Sequence, residues 1–324
     1  MSSPTRSPDD PVLFLGLGAM GTPMAAALAR GGHDLLLRDV DEARAAALAG
    51  DLGATAVPAG DLAAATRRTR TVVLMLPDSP AVEAVLRGAD GLLAHLPPGG
   101  VVVDMSSSRP SSTVALAAEA ERAGLAYVDA PVSGGVARAR DATLAIMVGA
   151  DEATYARVQP LLAAMGGDVT RVGGPGAGHA MKALNNLLSA IGFAAASEVL
   201  AVGANFGLDP QVMLDVLNRS TGRNHATEVK VERFVLSGDF DSGFSLRLMV
   251  KDLRTALELA HETGTPVPLS AGALEEWTAA GRTLPEGADH THIAAYVETR
   301  AGTRLRTQPA DHNAHTVEED AARG

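Results

Sequence analysis

Short apolar runs alternate with amphipathic segments along the first half of the chain. The segments between the runs place apolar side chains three and four positions apart, which is the period of a helix. The alternation is typical of the α/β class with a parallel, doubly wound sheet, where ligands bind at the carboxyl ends of the strands. The apolar runs that we predict as strands occupy residues 12–15, 35–37, 72–76, 101–104, 126–129 and 144–148.

The strand pattern stops near residue 205. From there on only helical periodicity recurs, so we predict that the second domain is all-α. The predicted helices of this second half span residues 210–218, 227–236, 245–261 and 268–280.

A long apolar helix is predicted between the two halves. Residues 173–198 begin with a glycine and proline cluster and continue with apolar side chains nearly all round. Such a helix is expected to be buried. Its polar exceptions include Lys182 and Asn186, which are four positions apart and therefore share one face, with Ser189 one turn further on.

Lys182 is the candidate for acid–base chemistry on this helix. The chain has 24 arginines and only three lysines. A lysine in an apolar setting can exchange a proton near neutral pH, and arginine cannot, so retention of a lysine here indicates proton transfer. The alternative is a structural lysine whose stem lies along the helix while its ammonium reaches water.

The segment GLGAMG follows the first apolar run and opens a helix. In a nucleotide-binding unit Gly16 allows the tight turn, Gly18 lets the backbone approach a pyrophosphate, and Gly21 lets the helix pack closely on the strand. Asp39 ends the second strand eighteen residues after Gly21, as expected for an acid that binds ribose. The predicted cofactor is NAD, and Arg38 beside the acid leaves NADP open. The predicted cofactor-binding residues here are Gly16, Leu17, Gly18, Ala19, Met20, Gly21 and Asp39.

These patterns divide the chain into five parts. We predict a disordered leader, a Rossmann domain, an inter-domain helix, a helical C-terminal domain and a disordered tail. Their respective bounds are residues 1–10, 11–173, 174–205, 206–300 and 301–324.

Composition narrows the function classes. The formal net charge of −11 argues against nucleic acid or an anionic membrane as a partner, and the absence of cysteine excludes disulfides and zinc–thiolate sites. We find no apolar run expected to cross a bilayer and no signal peptide, so a cytoplasmic protein is expected. Among Asp289, His290 and His292, the two histidines are two positions apart and would not face each other on a helix, so a helix start is the favoured interpretation and no metal site is predicted.

Several polar positions stay open on pattern alone. Ser107 and Ser133 follow strands, where a serine can simply cap the next helix, and for Ser107 taken alone the cap is the favoured interpretation. The polar segment at residues 218–228, which holds Arg223 and His225, fits a solvated loop or an anion site equally well. Lys251 lies opposite the apolar face of its helix, which indicates a solvent-facing residue.

Four motifs together resemble the β-hydroxyacid dehydrogenase family, which includes 3-hydroxyisobutyrate dehydrogenase and tartronate semialdehyde reductase. The motifs are GLGAMGTPMA at residues 16–25, DAPVSGG at residues 129–135, the glycine cluster from Gly174 followed by Lys182 and Asn186, and GFSLRLMVKDL at residues 243–253. The resemblance covers roughly residues 11–298. Two positions depart from the family pattern, because Ser106–Ser107 replaces Ser-Thr and Trp277 replaces tyrosine or phenylalanine.

The resemblance implies roles for single residues. It makes Lys182 the catalytic acid/base with Asn186 as its partner, and it implies a homodimer or homotetramer. It gives the binding of the substrate carboxylate to Ser133, Gly134 and Gly135. It also implies further cofactor contacts. For Lys251 this replaces the solvent-facing position that periodicity alone indicates. The added cofactor-contact positions are Leu76, Pro77, Ser107 and Lys251.

The predicted function is therefore an NAD(P)-dependent oxidoreductase that interconverts a small β-hydroxyacid and its semialdehyde. The partner is expected to be a small anionic substrate. Two alternatives stay open. An imine reductase of the same superfamily often lacks the lysine, so Lys182 counts against it. A non-catalytic nucleotide-binding sensor would not need a lysine in the apolar helix.

Overall fold

A computed structural model describes residues 10–88 and 90–306 of the chain. The predicted disordered leader and tail lie outside the described residues, apart from residue 10 and residues 301–306. The chain divides into two compact units. The first comprises the residues up to Asn186 together with Asp252–Pro266, and the second comprises Leu187–Lys251 and the residues from Val267 onward.

One mixed sheet forms the centre of the first unit. Its strand order is β3-β2-β1-β4-β5-β6-β8-β7, and β9 pairs with β8. Within the described residues its strands are β1 (Val12–Leu15), β2 (Leu35–Arg38), β3 (Thr55–Ala56), β4 (Thr71–Leu74), β5 (Val101–Asp104), β6 (Ala126–Asp129), β7 (Val132–Ser133), β8 (Leu144–Gly149) and β9 (Gly166–Gly173).

The predicted parallel sheet is confirmed from β3 to β6 and is wrong at the far edge. There β8 runs antiparallel to both β6 and β7, and β9 is parallel to β8. The reason is connection length, because a parallel pair needs a crossover of a dozen or more residues. Only two residues separate β6 from β7, and ten separate β7 from β8.

Helices cover both faces of this sheet. Alternate residues of β1 belong to two different apolar clusters, with Val12 and Phe14 in one and Leu13 and Leu15 in the other. Burial of both faces is what a doubly wound sheet requires. The helices are α1 (Gly21–Arg30), α2 (Glu42–Leu52), α3 (Leu62–Thr66), α4 (Ser79–Arg87), α5 (Leu92–His95), α6 (Pro110–Arg122), α7 (Gly135–Arg140) and α8 (Glu152–Ala163).

The long helix α9 spans Ala177–Phe206, and the boundary between the units falls within it. The prediction that it is buried all round is wrong, because apolar side chains at helical spacing are exposed along one face. Leu188 is 73% exposed, Val202 71% and Phe206 83%. By length and composition α9 could also cross a membrane, so the expectation that no such run exists is wrong as well.

The second unit is helical, as predicted. Its core contains Phe193, Val231, Val235, Trp277 and Ile293, all of them almost inaccessible to solvent. A wide π-helical segment, Ala226–Leu236, takes the place of the predicted helix at residues 227–236. The remaining helices are α10 (Pro210–Asn218), α11 (Leu246–Glu262), which continues into the first unit, α12 (Pro268–Thr283) and α13 (His292–Ala301).

Candidate active site

The glycine loop between β1 and α1 has the packing that its sequence predicts. Gly16 has φ +95°, and a Cβ there would lie 2.2 Å from the carbonyl oxygen of Met75. A Cβ at Gly21 would lie 1.8 Å from the carbonyl oxygen of Gly16. At Gly18 a Cβ would meet no heavy atom within 4 Å, so the loop leaves open space where a pyrophosphate approaches. These residues fit a dinucleotide.

Asp39 is fixed against this loop. Its carboxylate accepts hydrogen bonds from the backbone N–H of Leu17 at 2.6 Å and of Asp41 at 2.9 Å, and the side chain is buried. Arg44 lies 3.6 Å from the same carboxylate. The side chain of Arg38 donates to the carbonyl oxygen of Asp39. The acid is therefore oriented before any ribose arrives.

A groove of about 620 Å³ opens beside the glycine loop. Gly18 and Ala19 line it next to the helix start, and three arginines line it elsewhere: Arg30, Arg44 and Arg140. The positive charge of these arginines along the groove, together with the start of α1 at one end of it, suits an anionic ligand such as a dinucleotide.

The loops after β4 and β5 are tied to each other and to α9. The Leu76 N–H donates to Ser106 Oγ at 3.0 Å, which joins the two loops. Ser107 Oγ donates to Asp252 Oδ1 at 2.9 Å, and Asn186 Nδ2 donates to Asp252 Oδ2 at 2.6 Å. One buried carboxylate thus connects a predicted cofactor contact with a predicted catalytic residue.

Asp252 is a site residue that the sequence reasoning missed. It is 3% exposed and lies on α11 directly after Lys251. Periodicity could have found it, because it is three positions after Met249 and four before Ala256, both of which are buried. An acid on the apolar face of a helix indicates a polar partner in the interior.

Lys182 stands one helical turn before Asn186, as predicted. Its side chain is half-buried rather than fully buried. Asn186 is buried, and its amide is held by Asp252 on one side and by Asn185, whose Nδ2 donates to Asn186 Oδ1 at 3.2 Å, on the other. The orientation of Asn186 is therefore set by the protein itself.

The predicted substrate segment is a glycine-dependent turn between β7 and α7. Gly134 has φ +132° and Gly135 has φ +69°, and both values disfavour any side chain. A Cβ at Gly134 would also lie 2.6 Å from the side chain of Arg138, whereas Gly135 faces open space. Ser133, at the end of β7, is half-buried.

A buried polar network lies directly behind these segments, and the sequence reasoning assigned no role to it. Asp104 and Asp129 end the neighbouring strands β5 and β6 in register, and both are 0% exposed. The ring of His179 lies between them, with each carboxylate 3.9 Å from a ring nitrogen. Burial raises the pKa of Asp129, and the opposing effects of His179 and three backbone N–H groups do not fully offset it.

The second unit holds a separate polar cluster around Lys230. The Lys230 ammonium lies 3.0 Å from His290 Nε2 and 3.3 Å from Ser189 Oγ. Burial lowers the pKa of His290, and Lys230 lowers it further against the opposing effect of Asp289. His225, one of two residues in the open polar segment considered for anion binding, also has a lowered pKa because of burial and then Lys230.

Arg223 and Lys251 are the other two residues of this unit to which the sequence analysis gave a possible role. Arg223 is exposed, as a solvated loop would have it. Lys251 is half-buried.

Comparison with known proteins agrees with this geometry. Residues 11–174 match the family described as the NAD binding domain of 6-phosphogluconate dehydrogenase. Residues 176–297 match the family described as NAD-binding of NADP-dependent 3-hydroxyisobutyrate dehydrogenase. The two matches together span most of the described chain.

Individual relatives cover most of the chain as well. It is 43% identical to 2-(hydroxymethyl)glutarate dehydrogenase of Eubacterium barkeri, over 81% of this chain and 86% of that protein. It is 36% identical to 2-hydroxy-3-oxopropionate reductase of Escherichia coli K12, over 90% and 98% of the two chains. The structure of Mycobacterium tuberculosis 3-hydroxyisobutyrate dehydrogenase with L-serine matches with a TM-score of 0.82 and 32% identity, over 90% and 99%.

The chain therefore belongs to the β-hydroxyacid dehydrogenase family, whose members are NAD(P)-dependent oxidoreductases acting on CH–OH groups. The family resemblance read from the four motifs is confirmed. So is the fold class, a Rossmann domain followed by a helical domain.

Proposed function

We propose that the protein interconverts a small β-hydroxyacid and its semialdehyde, with Lys182 as the acid/base. The observation that carries this proposal is the hydrogen-bonded series Ser107–Asp252–Asn186. It holds a predicted cofactor contact and the residue one turn from Lys182 in a fixed arrangement within one unit. Such preorganisation is what proton and hydride transfer at one carbon require.

The chemistry divides between the cofactor and the protein. A bound NAD(P), held by the glycine loop and Asp39, would supply the hydride chemistry that interconverts the hydroxyl and carbonyl forms of the substrate. Lys182 Nζ accepts the hydroxyl proton in the oxidative direction and donates it to the developing alkoxide in the reductive direction. Asn186, oriented by Asp252, holds the reacting oxygen.

The proposed substrate carries an anionic group close to the reacting carbon. Gly134 and Gly135 form a left-handed turn directly after Ser133, a backbone conformation whose main-chain N–H groups can bind an anion, and Gly135 faces open space. A carboxylate bound there would fix the distance from the reacting carbon to Lys182. The substrates named for the two relatives above are carboxylic acids, in keeping with this class.

The test is NADH and NADPH oxidation with a panel of aldehyde acids. The panel contains 2-hydroxy-3-oxopropionate and the semialdehydes of 3-hydroxyisobutyrate and 2-(hydroxymethyl)glutarate, with L-serine in the oxidative direction. Uncharged aldehydes and cyclic imines serve as controls. We expect turnover of at least one acid and little of the controls. Equal turnover of a cyclic imine would favour an imine reductase, and cofactor binding without any turnover would favour a sensor.

The proposal extends to assembly and compartment. The exposed apolar face of α9 supports a homodimer or homotetramer in which a second copy covers Leu188, Val202 and Phe206. The absence of cysteine supports a cytoplasmic location, and the net charge of −11 supports a protein without nucleic-acid partners. We place α9 in protein rather than in a membrane, because its Asn186 is bonded to buried Asp252.

Assembly is tested by light scattering after size-exclusion chromatography. Phe206→Glu should lower the measured mass, since a carboxylate cannot be buried in an apolar interface without cost. An unchanged mass for both Phe206→Glu and Leu188→Glu would contradict this assignment of the interface.

A further inference from the structure

Asp129 links two segments of the proposed active site. One is the Ser133–Gly135 turn, which would bind the substrate carboxylate, and the other is the start of α9, which carries Lys182. We propose that Asp129 and the His179 ring form a clamp that positions Lys182 relative to the Ser133–Gly135 turn and the Ser107 loop. The inference rests on the proposed function, because it assumes that Lys182 transfers the proton. Neither clamp residue touches the reacting atoms, so both are positioning residues.

The first observation is the way in which α9 begins. The helix has no side chain of the usual capping type just before Ala177, where the sequence reads Gly-Gly-Pro-Gly. Instead Asp129 Oδ1 accepts from the Gly176 N–H at 2.7 Å, and Oδ2 accepts from the His179 N–H at 2.8 Å. Lys182 lies three positions after His179, on the next turn.

This arrangement differs from that of other helices in the chain. The helices α2, α8 and α10 are capped by an aspartate three residues before the donor, namely Asp41, Asp151 and Asp209. The acceptor for α9 comes from 47 and 50 residues away. A local cap moves with its helix, whereas this acceptor is attached to β6. The start of the Lys182 helix is therefore fixed to the strand that leads into Ser133.

Two glycines allow the clamp to pack closely against the neighbouring backbone. A Cβ at Gly149 would lie 2.3 Å from Asp129 Oδ1. A Cβ at Gly178 would lie 2.4 Å from the carbonyl oxygen of Met147 and 2.7 Å from that of Asp129. The first turn of α9 thus rests directly on the backbone of β6 and β8. A side chain at either glycine would therefore displace the clamp, and a close-packed interior transmits such displacements.

The His179 ring connects the start of α9 to the Ser107 loop. Its Nδ1 lies 2.7 Å from Thr113 Oγ1, and its Nε2 lies 3.0 Å from the carbonyl oxygen of Ser106, the residue before Ser107. The ring is 1% exposed, so these bonds have no competition from water. A helix displaced at His179 would shift both Lys182 and the Ser107 loop.

The experiment is a double-mutant cycle between Asp129→Asn and Lys182→Met, with kcat expressed per NADH-binding site. The amide of Asp129→Asn presents an NH₂ group to one of the two backbone donors, so one clamp bond is lost. We expect kcat to fall by ~10–10²-fold while the NADH Kd changes less than about twofold, because displacement of order 1 Å has that cost. In the Lys182→Met background the same change should cost less than about threefold, since the affected step is already lost.

Asp151→Asn is the matched control. It weakens an aspartate cap of α8, a helix that carries no predicted site residue, so it should lower Tm and leave kcat unchanged. If Asp129→Asn does not bind NADH, Thr113→Val replaces it. That variant keeps Asp129 and removes only the hydroxyl that holds His179, and it should show a smaller kcat loss that also disappears in the Lys182→Met background.

The outcomes distinguish a failure of the clamp proposal from a failure of the proposed function on which it rests. Unchanged turnover in Lys182→Met alone would overturn the proposed function. A large effect of Lys182→Met combined with a fully multiplicative effect of Asp129→Asn would overturn the clamp and leave the function standing. A lowered Tm with native kcat in Asp129→Asn, or native kcat in the substitute Thr113→Val, would likewise reduce the network to a structural role.

Discussion

The two units bury their polar groups in different ways. In the first, buried acids stand at strand ends or on α11, and their partners are loop N–H groups and small polar side chains; the acids are Asp39, Asp104, Asp129 and Asp252. In the second, the central group is the Lys230 ammonium, which faces His290 among the rings of Phe193 and Trp277.

The difference follows from topology. Parallel strands end at one edge of the sheet, so the loops that follow them bring many backbone donors to one place, and acids there accept from them. A helical unit satisfies most of its backbone within the helices, so side chains such as Lys230 and His290 pair with each other. The loops of the second unit still supply backbone donors to Asp289 and Glu298. The first arrangement is suited to holding ligands, and the second to packing. Four predictions test this contrast.

Substitution of Lys182 should have the largest effect. Lys182→Met keeps the apolar stem and removes the exchangeable proton, so kcat should fall by ~10²–10⁴-fold with NADH binding retained. Lys182→Arg should be nearly as poor, because guanidinium keeps its proton. Steady-state kinetics and fluorescence titration of NADH check both. Near-native kcat in the arginine variant would mean that the residue supplies only charge.

Asp252→Asn should have the next largest effect. The amide can accept only at one oxygen, so either Ser107 or Asn186 loses its acceptor, and kcat should fall by ~10-fold. Ser107→Ala, which removes one bond and leaves Asn186 held, should cost less. If the two variants had equal effects, the role of Asp252 would be confined to the cofactor side.

Asp39 should affect cofactor choice rather than rate. Its carboxylate can accept from a ribose 2′-hydroxyl and repels a 2′-phosphate, so we expect higher kcat/KM with NADH than with NADPH. Asp39→Ser should narrow the ratio between the two cofactors, because Arg38 and Arg44 then stand near the 2′ position without the opposing charge. Equal or better kcat/KM of the native protein with NADPH would refute the preference.

The same contrast explains how far the sequence could be read. Six of the strands and the glycine loop were predictable, because each lies in a local pattern with a fixed period or spacing, whereas β3, β7 and β9 were not predicted. The antiparallel edge at β7 and β8 was not, since it depends on connection length rather than on apolar pattern. Asp252 and Asp129 act through partners 47 to 145 residues away, and no local spacing records such contacts.

The Lys230 cluster could not be predicted from the sequence for the same reason. Ser189, Lys230 and His290 come from three separate helices or turns, and the second is separated from the others by 41 and 60 residues. The exposed face of α9 was misread for a different reason. An apolar pattern tells which side chains avoid water, but it does not tell whether their cover lies in the same chain.

The smallest expected effect concerns pH and the second unit. The pKa of His290 lies below its ordinary 6.5, because burial and Lys230 disfavour the protonated ring more than Asp289 favours it. Below that ordinary value the unfolded chain takes up a proton that the folded ring resists, so this contribution to stability is present above about pH 6.5 and is lost as the pH falls. For Asp129 the sign is opposite. Its raised pKa makes its contribution largest below the ordinary 3.8 and smaller as the pH rises through the folded value.

Thermal unfolding of the native protein and of His290→Gln at about pH 7.5 and 5.5 tests this. Glutamine does not titrate, so the variant should lose less Tm on acidification than the native protein, by roughly 2 °C for a shift of this kind in a chain of this size. Hydrogen exchange then locates the effect, and the acid-induced loss of protection should appear in α12 and α13 of the second unit rather than in β5 and β6. An equal fall of Tm in both proteins would mean that His290 is not the titrating group. A loss of protection centred on β6 would place that group in the first unit, and the contrast between the units would then not extend to their pH response.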